Sequence, residues 1–485
     1  MKASAGETTV GRRAPEVERL LADLARAHRT PRRVEQFGVE VVPRALQTAT
    51  WADVFVIWFT TVLNPVFFMV PGMAVANGGL SYWQAIVMMC AAALISFAGN
   101  GALATFGPDY GLPGQMLARS IFGIGGTKLL VSVLRMLTGC YWFAFQTLAA
   151  ALGIQGVLGV LAGRTFDLLA ISFALALVQT TFALFGFEVM RQAGRVVLPL
   201  MLFVAATMLY LFLTAGDPAY APERVLWQPP RSTGWAAFAV WLSTMIGAWT
   251  PPWASGADFC RYGRSRRQMW IGVTLGAPAG LVVAAAVGAN AAGASGDWNP
   301  FAVAARVAGS GPALFVLLCG LMLSVLLANT MNLYVAGMSL VNILPNIGRF
   351  WATVAAAAVA VGLSLLPTII QDAQGWMGEL GHVFTPIGGV LLADYLVLKR
   401  THVDVSALFR PGGRYRYWRE VNWIAVGTIA FGYLVYDLFP AALVPAAATV
   451  IASGALYLTA MAAGRRLSAA YREAAQPAEA DEAEG

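Results

Sequence analysis

The chain has 485 residues, of which 58% are apolar and only 12% charged, and its mean hydropathy is +0.65. Soluble domains carry about 25% charged residues, so this chain has too few charges to cover a water-facing surface. Apolar stretches long enough to cross a bilayer recur along nearly the whole sequence. The composition excludes a soluble protein with a large core and predicts a polytopic membrane protein that moves a small solute.

Twelve transmembrane helices are predicted from these stretches, in an all-α arrangement. They span roughly residues 51–77, 82–106, 127–158, 167–187, 193–214, 234–256, 268–293, 312–344, 350–369, 374–398, 420–438 and 441–463. Residues 1–50 and 464–485 are predicted to be tails, and the first tail is polar and basic, without the short apolar core of a signal peptide.

The basic residues predict how the chain is oriented. The sequence holds 32 Lys and Arg residues, and all except Arg164, Arg224, Arg231 and Arg306 fall on the side of the two tails. Basic residues are retained on the cytoplasmic side, so we expect a multi-pass protein of the inner or plasma membrane with both termini cytoplasmic. The net charge of +7 therefore indicates membrane topology rather than nucleic-acid binding.

Two of the predicted helices are interrupted. The first contains Asn64-Pro65, and the sixth contains Pro251-Pro252 near its middle. Proline removes a backbone donor, and in lipid the freed carbonyls must face a cavity, a ligand or other protein. Interrupted helices at matching positions indicate the midplane binding site of an inverted-repeat transporter. Two proline kinks without any ligand are the alternative.

The third predicted helix carries the first candidate substrate residues. Trp142 and Gln146 are four residues apart, so they share one helical face. An indole is a flat apolar platform, and an amide offers one acceptor and two donors. Together they suit a planar heterocycle with an amide or amidine edge. The alternative is a lipid-facing Trp and a Gln that bonds a neighbouring helix.

Three further side chains extend this candidate site. Trp249 lies at the interruption of the sixth helix, where a second indole could cover the other face of a flat ligand. Asn329 and Asn332 lie one turn apart in the eighth helix. Buried amides need partners, which a ligand edge or a neighbouring helix could supply. The sequence offers neither a catalytic constellation nor metal-ligand spacing, so we expect no enzyme activity, no metal and no cofactor.

The sequence resembles nucleobase–cation symporter family 1, the permeases for cytosine, purines, allantoin and hydantoins. The resemblance runs through about residues 36–440 and rests on stretches that occur in the family's order. These are EQFGVEVVP, WADVFVIWF, YGLPGQMLARSIFGIGG, WFAFQ, DFCRYGRS, NLY and PIGGVLLADYLVLKR.

The resemblance implies the leucine-transporter fold. Residues 51–214 and 234–398 would form two inverted repeats of five helices, and residues 420–463 two peripheral helices. It also implies alternating access around a midplane site. Carried over by position, Trp142 is the stacking indole and Gln146 the hydrogen-bonding amide. Trp249 would cover the other ring face, and Asn332 would contact the heterocycle edge.

The coupling ion is less certain from the resemblance, because two features depart from the family pattern. Some members bind sodium through helix 1 carbonyls and helix 8 hydroxyls. Thr61 and Asn64 would be the carbonyl donors here, but the hydroxyl positions are Leu326 and Leu327. Leucine supplies no oxygen ligand, so both H⁺ and Na⁺ stay open as the coupling ion, with the proton favoured.

The second departure lies in the tenth helix, where Glu379 and His382 are three residues apart. Ionisable groups in a span are costly and usually face a cavity or relay protons. Histidine exchanges protons near neutral pH, which makes the pair a candidate for proton coupling. The alternative is a structural Glu–His hydrogen bond, or exposure to the outer vestibule.

Together these features predict a secondary-active importer, a cation symporter, of a neutral planar nitrogen heterocycle. A nucleobase such as cytosine or a purine is the favoured substrate. Hydantoin, allantoin or a thiamine-precursor pyrimidine would also fit, and a non-transporting nucleobase sensor on the same fold is the rival. The expected partners are the heterocycle and the lipid bilayer, without nucleic acid or an obligate protein partner.

Overall fold

The computed structural model describes residue 23 and residues 37–184, 187–232 and 234–478. Within these ranges the chain is helical, and its only β-type pairings are two isolated bridges. Most of the predicted N-terminal tail and the last residues of the C-terminal tail lie outside the described residues.

The first half of the chain forms seven main helices. They are α1 (Trp51–Val62), α2 (Pro65–Ala76), α3 (Tyr82–Ala104), α4 (Gly114–Gly126), α5 (Ser132–Ala162), α6 (Leu168–Ala183) and α7 (Phe187–Leu213). A π-helical turn at Thr127–Val131 joins α4 to α5.

The second half forms eight main helices. They are α8 (Trp235–Trp249), α9 (Gly256–Cys260), α10 (Arg266–Ser295), α11 (Pro312–Ile343), α12 (Gly348–Leu363), α13 (Ala373–Leu392), α14 (Trp423–Val435) and α15 (Pro445–Leu467). A π-helical segment, Ala393–Leu398, extends α13. The shorter α-helices are Phe106–Tyr110, Pro222–Leu226, Pro300–Ala308, Thr368–Gln371 and Ala469–Ala475.

The helices of the described residues support a polytopic membrane protein. Eight of them are long and apolar enough to cross a membrane, and α1 with α2, bent by 55°, makes a ninth if the pair is one span. Leu168–Ala183 and Trp423–Leu438 are apolar but shorter. The all-helical prediction is therefore confirmed, whereas the predicted count of twelve spans is supported for eight or nine.

The first interruption is short and closed by one side chain. Asn64 begins α2: its Oδ1 accepts from the Val66 amide at 3.1 Å, and its Nδ2 donates to the Thr61 carbonyl at 2.8 Å. Pro65 occupies the first helical position, where its missing N–H costs nothing. A single asparagine thus satisfies the backbone groups that the bend would otherwise leave unpaired.

The second interruption lies at the consecutive prolines, as the sequence predicted. The expected helix over 234–256 ends at Trp249, and a 3₁₀ turn, Pro251–Ala254, precedes α9. The consecutive prolines cannot continue the α-helical ladder. The Trp253 indole anchors this turn to α3 by donating to the Ser96 carbonyl at 2.7 Å.

Small residues bring the site-forming helices close together. A Cβ added to Gly139 of α5 would lie 2.7 Å from the Asn332 carbonyl of α11, so only glycine permits this approach. Likewise, a Cβ at Gly276 of α10 would lie 2.6 Å from the Phe55 carbonyl of α1. The Gly139 contact places the ligand-candidate residues of α5 beside those of α11.

Candidate functional site

A cavity lies among α1, α2, α5, α8, α9, α11 and the 3₁₀ turn that follows α8. The space between its walls, counted with the part open to solvent, is about 630 Å³. Its walls are formed by Trp58, Thr61, Phe67, Arg135, Thr138, Gly139, Trp142, Gln146, Ala248, Trp249, Pro251, Pro252, Ser255, Phe259, Met331, Asn332 and Val335. Four of the five predicted substrate-binding residues therefore line one cavity.

Two indoles face each other across this cavity. The rings of Trp142 and Trp249 are inclined by only 18°, and their centroids are 6.5 Å apart. The Phe67 ring lies 4.5 Å from Trp249 and 5.8 Å from Trp142. The three distances form a triangle, so Phe67 lies off the line that joins the two indole centroids, and its ring stacks against Trp249 at an inclination of 24°.

The polar wall of the cavity consists of two amides. Asn332 Nδ2 donates to Gln146 Oε1 at 3.1 Å, and Gln146 is only 4% exposed. This bond crosses from α11 to α5 at the level of the Trp142 indole, which is one turn from Gln146 on α5. The two amides therefore act as a unit beside the aromatic pair.

Asn329 does not line the cavity, which corrects its predicted role as a substrate ligand. It is fully buried, and its Nδ2, which carries two hydrogens, lies within hydrogen-bond distance of three acceptors on neighbouring helices. These acceptors are the Phe143 carbonyl at 3.1 Å, Thr147 Oγ1 at 2.9 Å and Gln179 Oε1 at 2.6 Å. The Asn329 amide therefore bonds neighbouring helices, which is the alternative that the sequence had left open.

The Asn329 contacts determine which ends of the two amides face the cavity. A main-chain carbonyl only accepts, so the Asn329 end at Phe143 must be the NH₂ group. Asn329 Oδ1 then faces Asn332 and accepts from its Nδ2 at 3.0 Å. Because Asn332 Nδ2 makes both amide–amide bonds, Asn332 Oδ1 and Gln146 Nε2 remain available to a ligand. One acceptor and one donor side by side complement the N–H/C=O edge of a cyclic amide.

A buried ion pair lies on the α9 side of the cavity. Arg135 Nη2 and Asp258 Oδ2 are 2.5 Å apart, and their side chains are 1% and 0% exposed. The other Asp258 oxygen accepts from the Gly114 amide at 2.7 Å. The pair connects α5, α9 and the start of α4. Breaking a pair of this kind leaves an uncompensated buried charge, which is strongly destabilising.

The two predicted cation-coupling residues of the first interruption occupy different positions. Thr61 lines the cavity, and its Oγ1 lies 3.4 Å from Met331 Sδ. Asn64 is fully buried in the bend, and its Nδ2 bonds the Thr61 carbonyl that would serve as an ion ligand.

The hydroxyls nearest to the leucine pair of α11 are also engaged. Ser324 Oγ donates to the Leu321 carbonyl at 3.1 Å, and Thr330 Oγ1 donates to the Leu326 carbonyl at 2.7 Å. Both bonds stay within α11, and the Leu327 side chain beside them is 2% exposed. This part of α11 therefore presents hydrocarbon where some family members place hydroxyls.

The predicted pairing of Glu379 with His382 is corrected by the structure. His382 Nε2 lies 2.9 Å from Asp437 Oδ1, and Nδ1 lies 3.2 Å from the Gly378 carbonyl. The Asp437 side chain is 82% exposed, and Glu379 is also exposed. Neither predicted residue belongs to the cavity wall, so this pair stands apart from the candidate substrate site.

The sequence analysis did not single out Trp58, Phe67 or Arg135 as cavity residues. An arginine seven residues before Trp142 lies two turns away on the same face of α5, which could have predicted its place. The two aromatic residues lie in uniformly apolar stretches and carry no comparable signal. Over the described ranges, His, Cys, Asp and Glu form no group of three that could hold a metal ion.

The chain matches a known protein family over most of its length. A family model described as a permease for cytosine/purines, uracil, thiamine and allantoin matches residues 41–458. The hydantoin permease of Microbacterium maritypicum is 26% identical over 395 residues, which cover 76% of this chain and 77% of that protein. The allantoin permease of Bacillus subtilis (strain 168) is 25% identical over 422 residues, 80% of this chain and 84% of that protein.

A solved structure shares the fold. Mhp1, a nucleobase-cation-symport-1 family transporter in a closed conformation with bromovinylhydantoin bound, superposes with a TM-score of 0.77. The sequences are 21% identical, and the match covers 90% of this chain and 98% of that chain. These findings confirm the resemblance drawn from the sequence motifs, and the relatives are permeases rather than enzymes, as predicted.

Proposed function

The chain belongs to the family of permeases for cytosine/purines, uracil, thiamine and allantoin, and on that premise we propose that it imports a neutral, planar nitrogen heterocycle by alternating access. A nucleobase is the favoured substrate. Hydantoin and allantoin belong in the same test panel, because relatives named for them match this chain. The chain is a multi-pass membrane protein, and the proposal adds the substrate class, its site and the coupling ion.

The near-parallel indoles of Trp142 and Trp249 support this proposal most directly. Carbon atoms in contact lie about 3.5–4.0 Å apart, so a flat ring held between two indoles needs them about 7–8 Å apart. The observed 6.5 Å is slightly less, so a small separation of the rings would admit a one-layer aromatic ligand. A bulky or non-planar solute would require much larger movement.

The amide wall then supplies orientation. Gln146 Nε2 and Asn332 Oδ1 would bond a C=O and an N–H on the ring edge, while the indoles cover its faces. A buried polar group that loses its partner costs about 1–3 kcal/mol, so both amides favour ligands that match them.

Replacement of Gln146 by Ala tests the site. We expect Gln146→Ala to abolish high-affinity uptake of the preferred ring in proteoliposomes while the protein remains folded. Gln155→Ala is the matched control, because Gln155 lies on the same helix and its Nε2 bonds the Phe166 carbonyl, away from the cavity wall. Near-normal uptake by Gln146→Ala would remove this residue from the site.

We propose that protons, not sodium ions, drive uptake. The leucines at the hydroxyl positions of α11, which supply no oxygen ligand for sodium, support this choice. We expect uptake in proteoliposomes to follow a pH gradient and to ignore a sodium gradient at fixed pH. Sodium-dependent uptake without a response to the pH gradient would contradict proton coupling.

The repeat organisation and topology remain part of the proposal. Residues 51–214 and 234–398 would form the two inverted halves, with both termini cytoplasmic, and the one-sided distribution of Lys and Arg supports this orientation. Counterflow separates the importer from a sensor on the same fold. A transporter preloaded with unlabelled ring accumulates labelled ring, whereas a sensor binds it without accumulation.

A further inference from the structure

Several buried N–H donors on cavity-lining residues lack hydrogen-bond partners. They are Trp58 Nε1, Trp249 Nε1, and Nε and Nη1 of Arg135, none of which has a partner in the described part of the chain. The three residues are 3%, 6% and 2% exposed. A buried donor left unpaired costs about 1–3 kcal/mol, so a permanent set of this size around one cavity needs a reason.

The hydroxyl groups that line the same cavity, by contrast, already have hydrogen-bond partners. Thr138 Oγ1 donates to the Leu134 carbonyl at 2.7 Å, and Ser255 Oγ donates to the Pro252 carbonyl at 3.2 Å. Each hydroxyl is therefore already paired, and its spare lone pairs carry no comparable penalty. The polar groups of the cavity that still need partners are predominantly donors.

We infer that this site prefers an oxo-rich heterocycle, such as a pyrimidinedione or an oxopurine, over an amino-substituted ring of the same outline. The inference rests on the proposed function and specifies its substrate class. The amide wall takes one N–H/C=O edge of such a ring. The remaining carbonyl oxygens and bare ring nitrogens supply acceptors for the indole and guanidinium donors, whereas an exocyclic amino group brings further donors to a site that already has too many.

Arg135 favours a neutral acceptor rather than an acid. Its positive charge is already balanced by Asp258 at 2.5 Å, and Asp258 is fully buried. A carboxylate on the ligand would add a net negative charge to this buried pair, and desolvating that charge is costly. A polarised carbonyl can use the free N–H groups of Arg135 without this cost.

Matched ligand pairs test the preference directly. Uracil and cytosine share a ring outline, but uracil has a carbonyl beside a ring N–H where cytosine has an amino group beside a bare ring nitrogen, and hypoxanthine and adenine differ in the same way. With the full chain purified in detergent, titration calorimetry should show the oxo member of each pair binding at least about tenfold more tightly, the effect of one good hydrogen bond. Equal binding, a preference for the amino member, or tightest binding of orotate, which carries a carboxylate, would overturn the inference.

Trp249→Phe and Trp58→Phe remove the indole N–H and keep an aromatic face. Each should reduce the oxo-over-amino ratio severalfold, whatever the change in absolute affinity. Trp270→Phe is the matched control, because Trp270 is 43% exposed and does not line the cavity, and its ratio should be unchanged. An unchanged ratio in both test variants would overturn the assignment of these donors.

Arg135→Lys keeps a cation beside Asp258 with fewer donors, and it should also reduce the ratio. A variant that retains the wild-type ratio would remove Arg135 from the set. Failure of the proposed function is distinguishable: if none of the four rings binds or is transported, the nucleobase assignment falls and this inference with it. Binding of all four without discrimination rejects only the inference.

Discussion

The two interruptions of the membrane helices differ in how their backbone and side-chain polar groups are satisfied. At the first, Asn64 bonds both the end of α1 and the start of α2, so its side chain joins the two helices within residues 61–66. At the second, Pro251, Pro252 and Ser255 line the cavity, and the nearby Trp249 and Arg135 keep unpaired donors among the described residues. Asn64 itself is buried outside the cavity wall and Thr61 and Phe67 on either side of it line the cavity, whereas at the second break the interrupting residues themselves form part of that wall.

This difference also separates two ways of holding a break in place. The first bend relies on hydrogen bonds within one helix pair. The segment after the second is held by the Arg135–Asp258 ion pair and by the Gly114 amide, which come from α5 and the start of α4.

Asp258→Ala should have the largest effect, because it leaves the Arg135 guanidinium buried without its counter-charge. We expect a loss of about 3–5 kcal/mol in stability, measured as a lower temperature of unfolding in detergent. The double variant Asp258→Leu with Arg135→Met removes both charges and should recover much of this loss. Equal destabilisation of the single and double variants would argue against the ion pair as the anchor of the second break.

Asn64→Ala should rank second, since it deprives the Thr61 carbonyl and the Val66 amide of their side-chain partner. Loss of a helix cap with orphaned buried groups costs about 2 kcal/mol. The thermal stability should fall, while the order of ligand affinities stays the same. Asn64→Ser is the control, because its smaller side chain keeps an oxygen that can cap the Val66 amide without reproducing both bonds, so its stability should be intermediate. A changed ligand order in Asn64→Ala would place this bend in the recognition site.

Asn329→Leu should have a smaller effect, and we expect it in the affinity for the ligand. Without Asn329, the Asn332 amide loses the partner that determines which end faces the cavity. We expect affinity for the preferred ring to fall about tenfold, the equivalent of one hydrogen bond of about 1.4 kcal/mol. The oxo-over-amino ratio is the decisive readout, because a purely structural role would lower stability without moving it. Thr181→Val, at an exposed hydroxyl on α6, is the control.

Asp437→Asn should have the smallest effect. Its carboxylate is 82% exposed, and exposed ion pairs contribute about 0–1 kcal/mol. The free energy of unfolding should change by less than about 1 kcal/mol, and the pH profile of uptake should match that of the unmodified protein. A shifted pH profile would instead implicate the His382–Asp437 contact in proton coupling.

Local spacing in the sequence predicted those parts of the site that lie on one helix. Trp142 and Gln146 share a face of α5 because four residues make about one helical turn, and proline pairs cannot continue a helix. Local spacing could not predict hydrogen-bond partners that lie on other helices. Asn329 is taken up by Phe143 and Gln179, which are distant in sequence, and His382 meets Asp437 rather than Glu379 because helix packing decides which neighbour is in reach.

The count of spans shows the same limit. The stretches predicted as the fourth and eleventh spans contain Leu168–Ala183 and Trp423–Leu438, which are shorter than the other apolar helices, because hydropathy does not show where a helix begins and ends. Trp58 and Phe67 could not be separated from ordinary core residues, since an aromatic side chain in a span packs against protein, lipid or ligand with the same sequence signal.

The main-chain carbonyl of Phe143 could serve as a spectroscopic reporter, and it constrains how the site can change by substitution. This single main-chain oxygen, which accepts from Asn329 Nδ2 at 3.1 Å and from Thr147 Oγ1 at 2.7 Å, determines the polarity of an amide wall two side chains away. A ¹³C label at this carbonyl would make its infrared stretch an internal reporter of ring binding. No substitution can delete a main-chain atom. Changes in the surrounding sequence would therefore leave the orientation of the Asn332 amide unchanged, as long as α5 stays helical and Asn329 stays opposite Phe143.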